Sequence, residues 1–179
     1  NVSDAPPVID LDGNDSSGAS GYDYLGSFVG GGVATPAADT DVAITDNGTT
    51  IASGSIALTN RPDGKSETLL IDSVLAASYG ITVVSDGAGG FKLSGTATLA
   101  QYQAVIDTLQ YVHQSESPNT ATRVINVTVN DGVSNSNTAV SRLVYGGGAP
   151  VTKTKSLYLS PAGQGMDGFN PVGTNAKTT

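Results

Sequence analysis

The amino-acid sequence predicts an all-β protein, on three observations. Threonine, valine, serine and glycine are abundant while lysine and glutamate are few, which suits short strands joined by tight turns. Hydrophobic segments recur at regular spacing, with turn-forming residues between them. From Ile125 to Asn130 apolar and polar residues alternate, the period of a strand with one buried face. With 179 residues, 38% hydrophobic and 13% charged, the chain has room for one full domain and a tail, and lacks the charge signature of disorder.

Pro6 and Pro7 impose an extended lead-in, after which Val8, Ile9 and Leu11 form one short edge strand. Residues 16–36 are mostly Gly, Ser and Ala, broken by Tyr22, Tyr24, Leu25, Phe28 and Val29; they read as a loop or as a strand led by YLGSFV. Strands follow at 41–45, 50–58, 69–71, 80–84, 90–94, 109–113, 122–130 and 137–145. The turns between them carry signals such as Asp46-Asn47-Gly48, Asn60-Arg61-Pro62-Asp63-Gly64, Asp86-Gly87, Ser117-Pro118-Asn119 and Asn130-Asp131-Gly132. One segment breaks the pattern. Thr98-Leu99-Ala100-Gln101 is a capping box, and Leu99, Tyr102, Val105, Ile106 and Leu109 recur at mostly three- and four-residue intervals. One short helix is therefore expected over residues 99–108, with Ile106 facing the core and Gln103 on the other face, and a further helical turn near 73–78. Past Tyr145 come a glycine hinge at 146–148, an alternating VTKTKSLYLS suited to a strand, and a Gly/Pro/Asn-rich end. The expected organisation is an extended and Gly/Ser-rich lead-in (1–38), a β-sandwich (39–145) and a hinged tail (146–179).

The chain carries a net charge of −8, unevenly placed. Asp4, Asp10, Asp12, Asp15, Asp23, Asp39, Asp41 and Asp46 precede the first basic residue, Arg61. Nucleic acid is not expected as a partner, because phosphate needs a basic surface. Either the acids serve solubility or they hold a cation. Asp10-x-Asp12 and Asp39-x-Asp41 each place two carboxylates on one side of an extended chain, and Asn130-Asp131-Gly132 offers an amide, a carboxylate and a turn. Such hard oxygen ligands suit Ca²⁺. No EF-hand loop is present.

The enzyme readings fail on inventory, so no enzyme is expected. There is no Cys and one His, His113, inside an expected strand and read as structural. No nucleophile elbow or P-loop occurs. The only glutamates, Glu67 and Glu116, lie in segments that read as turns, which leaves a glycosidase pair unsupported. No apolar run approaches 18 residues, so no membrane span is expected. A chain that begins at Asn1 and lacks Cys fits a trimmed or processed secreted protein, extracellular or on a cell surface. The Asn-x-Ser/Thr sequons at Asn1, Asn14, Asn47 and Asn126 are expected by chance in a Ser/Thr-rich chain.

The segments APPVIDLDG, ADTDVAITD, IASGSIALTNRPDG, LSGTATLAQYQAVIDTLQYV, SPNTATRVINVTVNDG and SNSNTA, in that order, resemble the cadherin-like repeats of large bacterial RTX-type adhesins and exoproteins. The likeness covers about four fifths of the chain. It implies a Greek-key, cadherin-like or Ig-like β-sandwich, Ca²⁺ at acidic loops near the module ends, and surface adhesion. The family's acidic positions fall on Asp10, Asp12, Asp39, Asp41, Asp46, Asn130 and Asp131, while Gly48 stands where the family commonly has a further Asp. Two functions are expected from these features. The first is a subunit of a bacterial surface filament or matrix that binds copies of itself by a terminal segment pairing with a sheet edge, the donor being the tail or PPVIDL. The alternative is one module of a tandem Ca²⁺-dependent adhesin that recognises a cell-surface ligand or glycan.

Overall fold

The computed structural model describes residues 3–146, and the expected strand at 151–160 lies outside the described residues. Among the described residues eleven strands run in chain order: β1 (Val8–Asp10), β2 (Tyr24–Phe28), β3 (Ala34–Pro36), β4 (Ala43–Thr45), β5 (Thr50–Leu58), β6 (Glu67–Leu70), β7 (Thr82–Ser85), β8 (Phe91–Thr98), β9 (Gln110–His113), β10 (Arg123–Asn130) and β11 (Ala139–Tyr145). Helix α1 (Ser73–Ser78) lies between β6 and β7, and α2 (Leu99–Ile106) between β8 and β9. The described part is thus mostly β, with α2 starting at the capping box and α1 on the further helical turn expected at 73–78. In α1 the Asp72 carboxylate accepts from the Val74 and Leu75 amides, so a side-chain cap supports a helix too short to form alone.

The strands form three sheets. The largest has the order β2-β11-β10-β5-β8-β7, the second is β3-β9-β6, and β1 pairs with β4 in a two-stranded ribbon. The first 38 residues supply β1, β2 and β3, and so contribute a strand to every sheet. Tyr24–Phe28 runs parallel to β11, with Tyr24 opposite Ser141 and Phe28 opposite Tyr145. The core draws on all three sheets and on α2, with Ile9, Phe28, Ile56, Ile106, Tyr111 and Val127 all buried. In β10 the alternation read from the sequence is realised: Arg123, Ile125, Val127 and Val129 point inward.

The ribbon is held at both edges by side chains that imitate a neighbouring strand. On the β1 side, the Asn137 amide accepts from the Ile9 N–H at 2.8 Å and donates to the Ile9 carbonyl at 2.9 Å. On the β4 side, Asp107 accepts from the Val42 N–H and Gln103 from the Ile44 N–H. Gln103 and Asp107 stand one helical turn apart, so α2 presents two acceptors to alternate residues of an extended chain. Gln103, expected on the face away from the core, is thus at its margin and bonded to a strand edge. Periodicity located the apolar face correctly, yet a polar residue at its margin reaches an otherwise bare strand edge.

The capping box at α2 is complete. Thr98 Oγ1 accepts from Gln101 N–H, and Gln101 Oε1 accepts from Thr98 N–H. One turn on, the Tyr102 hydroxyl donates to the Gly95 carbonyl at 2.8 Å, and burial pushes its pKa up to about 12, so it remains a donor. Gly95 has φ +131°, and a Cβ there would stand 2.2 Å from the Gly80 carbonyl oxygen. The β5–β8 register shifts at this point, between Ile51 and Ser53, so the glycine sits at a bulge that lets β8 bend over the start of α2.

The N-terminal arm and the last described strand meet opposite ends of the large sheet. The arm joins beside Asn137, where β10 has finished and β11 is about to start. Strand β11 then runs to Tyr145, past the pairing of Leu143 with Arg123 at the start of β10.

Candidate functional site

The ribbon carries an acidic group at each of its ends. At the first, Asp12, Asp39 and Asp41 bring one carboxylate oxygen each within 4.8 Å of one another. Local geometry explains the gathering. Asp12 is buried and turns the chain by accepting from the Ser16 and Ser17 amides at 2.9 and 2.8 Å. Asp39 accepts from the Ser16 hydroxyl, and Asp41 from the Gly13 N–H. Asp10 accepts from the Asp12 N–H. The two Asp-x-Asp pairs are therefore brought to one place, but at least one oxygen of each carboxylate already holds a protein donor.

The residues at the second end do not converge within 4.8 Å as those three do, yet two of them hold carboxylate oxygens without donors. Asp46 follows β4, Asp131 follows β10, and Asp4 lies in the N-terminal arm, where the negative fields of Asp131 and Asp46 reach it. Both carboxylate oxygens of Asp46 are shielded from solvent and have no hydrogen-bond partner; Asp131 Oδ2 is in the same state. The other oxygen, Asp131 Oδ1, accepts from the Val133 and Ser134 amides. Asn130 spends its side chain on its own hairpin, accepting from Gly132 N–H and donating to Asn135. A shielded carboxylate oxygen without a donor costs on the order of 1–3 kcal/mol or more. A hard cation would satisfy such oxygens, and these residue types fit one. Asp4 carries no Asp-x-Asp signature and was not found by sequence reasoning.

A third constellation was missed altogether. Asp63, Glu67 and His113 also converge within 4.8 Å. Glu67 lies in β6 and is buried, not in a turn, and Arg123 fills the space between the carboxylates. Its guanidinium binds the Glu67 carboxylate through Nε, stands 3.6 Å from Asp63 Oδ2, bonds the Ala121 and Asn119 carbonyls, and lies 4.7 Å over the Phe28 ring. Tyr111 donates its hydroxyl to Glu67, and this bond adds to burial in pushing the Tyr111 pKa up. His113 contacts Asp63 through Nε2 at 2.8 Å, while the Ser115 N–H points at Nδ1. The ring proton therefore sits on Nε2 and is donated to Asp63. The guanidinium already serves as the cation here, so this is a structural brace. As expected from sequence, His113 lies in a strand with both nitrogens satisfied.

The carboxylates divide by environment. Burial works against ionisation of Asp12, but the Ser17 and Ser16 donors outweigh it and hold the group below the usual range. The Asn119 amide, with His113 and Arg123, does the same for Asp63, and the Ser134 and Val133 amides do so for Asp131. Asp107 and Asp10 are raised, first by burial and then by neighbouring acids: Asp41 and Asp39 for Asp107, and Asp15, Asp12 and Asp41 for Asp10. The lowered groups contribute stability above their unfolded pKa that is lost as pH falls through their folded values. The raised groups act oppositely; their contribution is present in acid and is lost as pH rises through their folded values. Carboxyl carbon NMR in cation-free buffer should therefore show Asp107 and Asp10 titrating above the ordinary aspartate range, and Asp12, Asp63 and Asp131 below it. Titration of all five together would contradict this division.

Comparison with protein-family models, with curated proteins and with solved structures returned no match. Among the described residues no helix is long and apolar enough to cross a membrane.

Proposed function

We propose that the chain is a non-enzymatic, extracellular β-sandwich of Greek-key, cadherin-like type, acting as an end-to-end structural unit of a bacterial surface filament or matrix and braced by Ca²⁺. The observation that carries this reading is the set of shielded, donorless carboxylate oxygens of Asp46 and Asp131 where the N-terminal arm joins. Asp46, Asp131 and Asp4 would hold the ion there; Asp12, Asp39 and Asp41, with Asp10 beside them, would hold a second at the other end of the ribbon. The ion supplies positive charge between carboxylates that otherwise repel, and so ties the arm and the ribbon to the hairpin after β10.

The path of the chain supports units in series. The arm joins at one end of the large sheet and β11 departs at the other, which suits transmission of tension along β11 and its neighbours. The same geometry favours a second reading, one module of a tandem Ca²⁺-dependent adhesin that binds a cell-surface ligand or glycan. Assembly separates the two. In sedimentation velocity with Ca²⁺, the filament reading expects the 179-residue chain to form polymers by pairing a terminal segment with a neighbour's sheet edge. A chain that stays monomeric at all concentrations overturns the filament and leaves the tandem module.

A further inference from the structure

The turn after β4 contains the sole Asn-Gly pair of the sequence, Asn47-Gly48. An asparagine followed by glycine is the pair most open to imide formation, because no side chain hinders the attacking backbone nitrogen. Here it lies in an exposed bend outside any strand or helix, where the backbone can reach the reacting geometry. The surroundings favour the reaction as well. Asn47 Oδ1 accepts from the Ala5 N–H at 3.3 Å, which draws electron density from Cγ and stabilises charge developing on that oxygen. Asp46, with two donorless oxygens, packs against Gly48 so closely that a Cβ on the glycine would stand 2.8 Å from Oδ2. Neither Asp46 oxygen takes the Gly48 N–H, so that amide proton is not tied up by the neighbouring carboxylate.

The same asparagine holds the N-terminal arm. Its Nδ2 donates to the Ser3 carbonyl at 2.9 Å while its Oδ1 takes the Ala5 N–H, so one amide clips both sides of Asp4. Replacing that NH₂ by oxygen sets a negative acceptor against the Ser3 carbonyl and adds a charge to a group that already contains Asp4, Asp46 and Asp131.

We propose that Asn47 is a self-deamidation site and that its conversion releases the N-terminal arm from the turn after β4. The Gly48 amide nitrogen loses its proton to hydroxide and attacks Asn47 Cγ. The Cγ–Nδ2 bond breaks, and the nitrogen takes up a proton and leaves as ammonia. Water then opens the five-membered imide at either carbonyl, giving aspartate or isoaspartate at position 47. No oxidant or reductant takes part.

The test ages the full chain at mildly alkaline pH in chelator, follows each asparagine by peptide mapping, and records the backbone amide resonances of Asp4 and Ala5. Asn47 should be the asparagine that converts fastest, and Gly48→Ala should slow its conversion strongly. Converted protein, and fresh Asn47→Asp protein, should show the Asp4 and Ala5 resonances shifted to random-coil positions. The proposal is overturned if Asn47 persists in folded protein while it converts in urea. It is equally overturned if converted protein and Asn47→Asp keep the native resonances, since the arm would then be held by something else.

Discussion

Arg123→Leu should destabilise the fold by about 3–5 kcal/mol, because it strands a carboxylate that has no access to water. Glu67 is wholly buried and would retain only the Tyr111 hydroxyl and its link to the Asp63 N–H. The Ala121 and Asn119 carbonyls would lose their guanidinium donor, and Phe28 the cation over its ring. The double change Arg123→Leu with Glu67→Leu removes both charges and should recover much of that loss, since a buried ion pair is often no better than an apolar pair of similar volume. Urea unfolding measures both. A single variant within 1 kcal/mol of the parent would show that the pair is hydrated in solution, contrary to the packing described.

Ile106→Ala should cost about 2–5 kcal/mol by emptying a buried position between α2 and the sheets. Gln103→Ala, one turn earlier, should cost about 0.5–1.5 kcal/mol through the bare Ile44 N–H. The two differ in kind. The first removes packing and should be matched by other large-to-small changes at Val105 or Leu109. The second removes a strand-like contact and should be largely restored by Gln103→Glu, which keeps an acceptor. Equal losses at positions 103 and 106 would contradict the helix phase.

Local patterns made most of the secondary structure legible. The strand at 50–58 was read with its observed bounds, and the capping box located the start of α2 because both partners lie within four residues. The glycine-rich stretch before residue 36 was ambiguous because its strands depend on partners far along the chain. Strand β2 finds its place only beside β11, more than 100 residues away. Distance likewise concealed the buried brace. Glu67 and Arg123 are 56 residues apart, and a glutamate beside a Pro-Asp-Gly turn looks solvated until β6 is paired with β9. In the acidic groups the sequence shows which residues are charged but not which oxygens are already taken. Asp12 and Asp46 read alike as letters; in the fold one accepts hydrogen bonds from two serine residues and the other from none.

The central claim, that a cation is held by Asp46 and Asp131, is tested most directly by melting the full chain in Ca²⁺ and in chelator. With a dissociation constant of about 10⁻⁴ M, in the range of extracellular modules, roughly 1 mM Ca²⁺ stabilises the fold by about 1.4 kcal/mol, a few degrees in Tm. That increment should shrink in Asp46→Asn and Asp131→Asn. It should persist in Asp86→Asn, whose carboxylate caps its own hairpin through the Ala88 and Gly90 amides. Coincident melting curves with and without Ca²⁺, or an equal loss of the increment in all three variants, would contradict the claim.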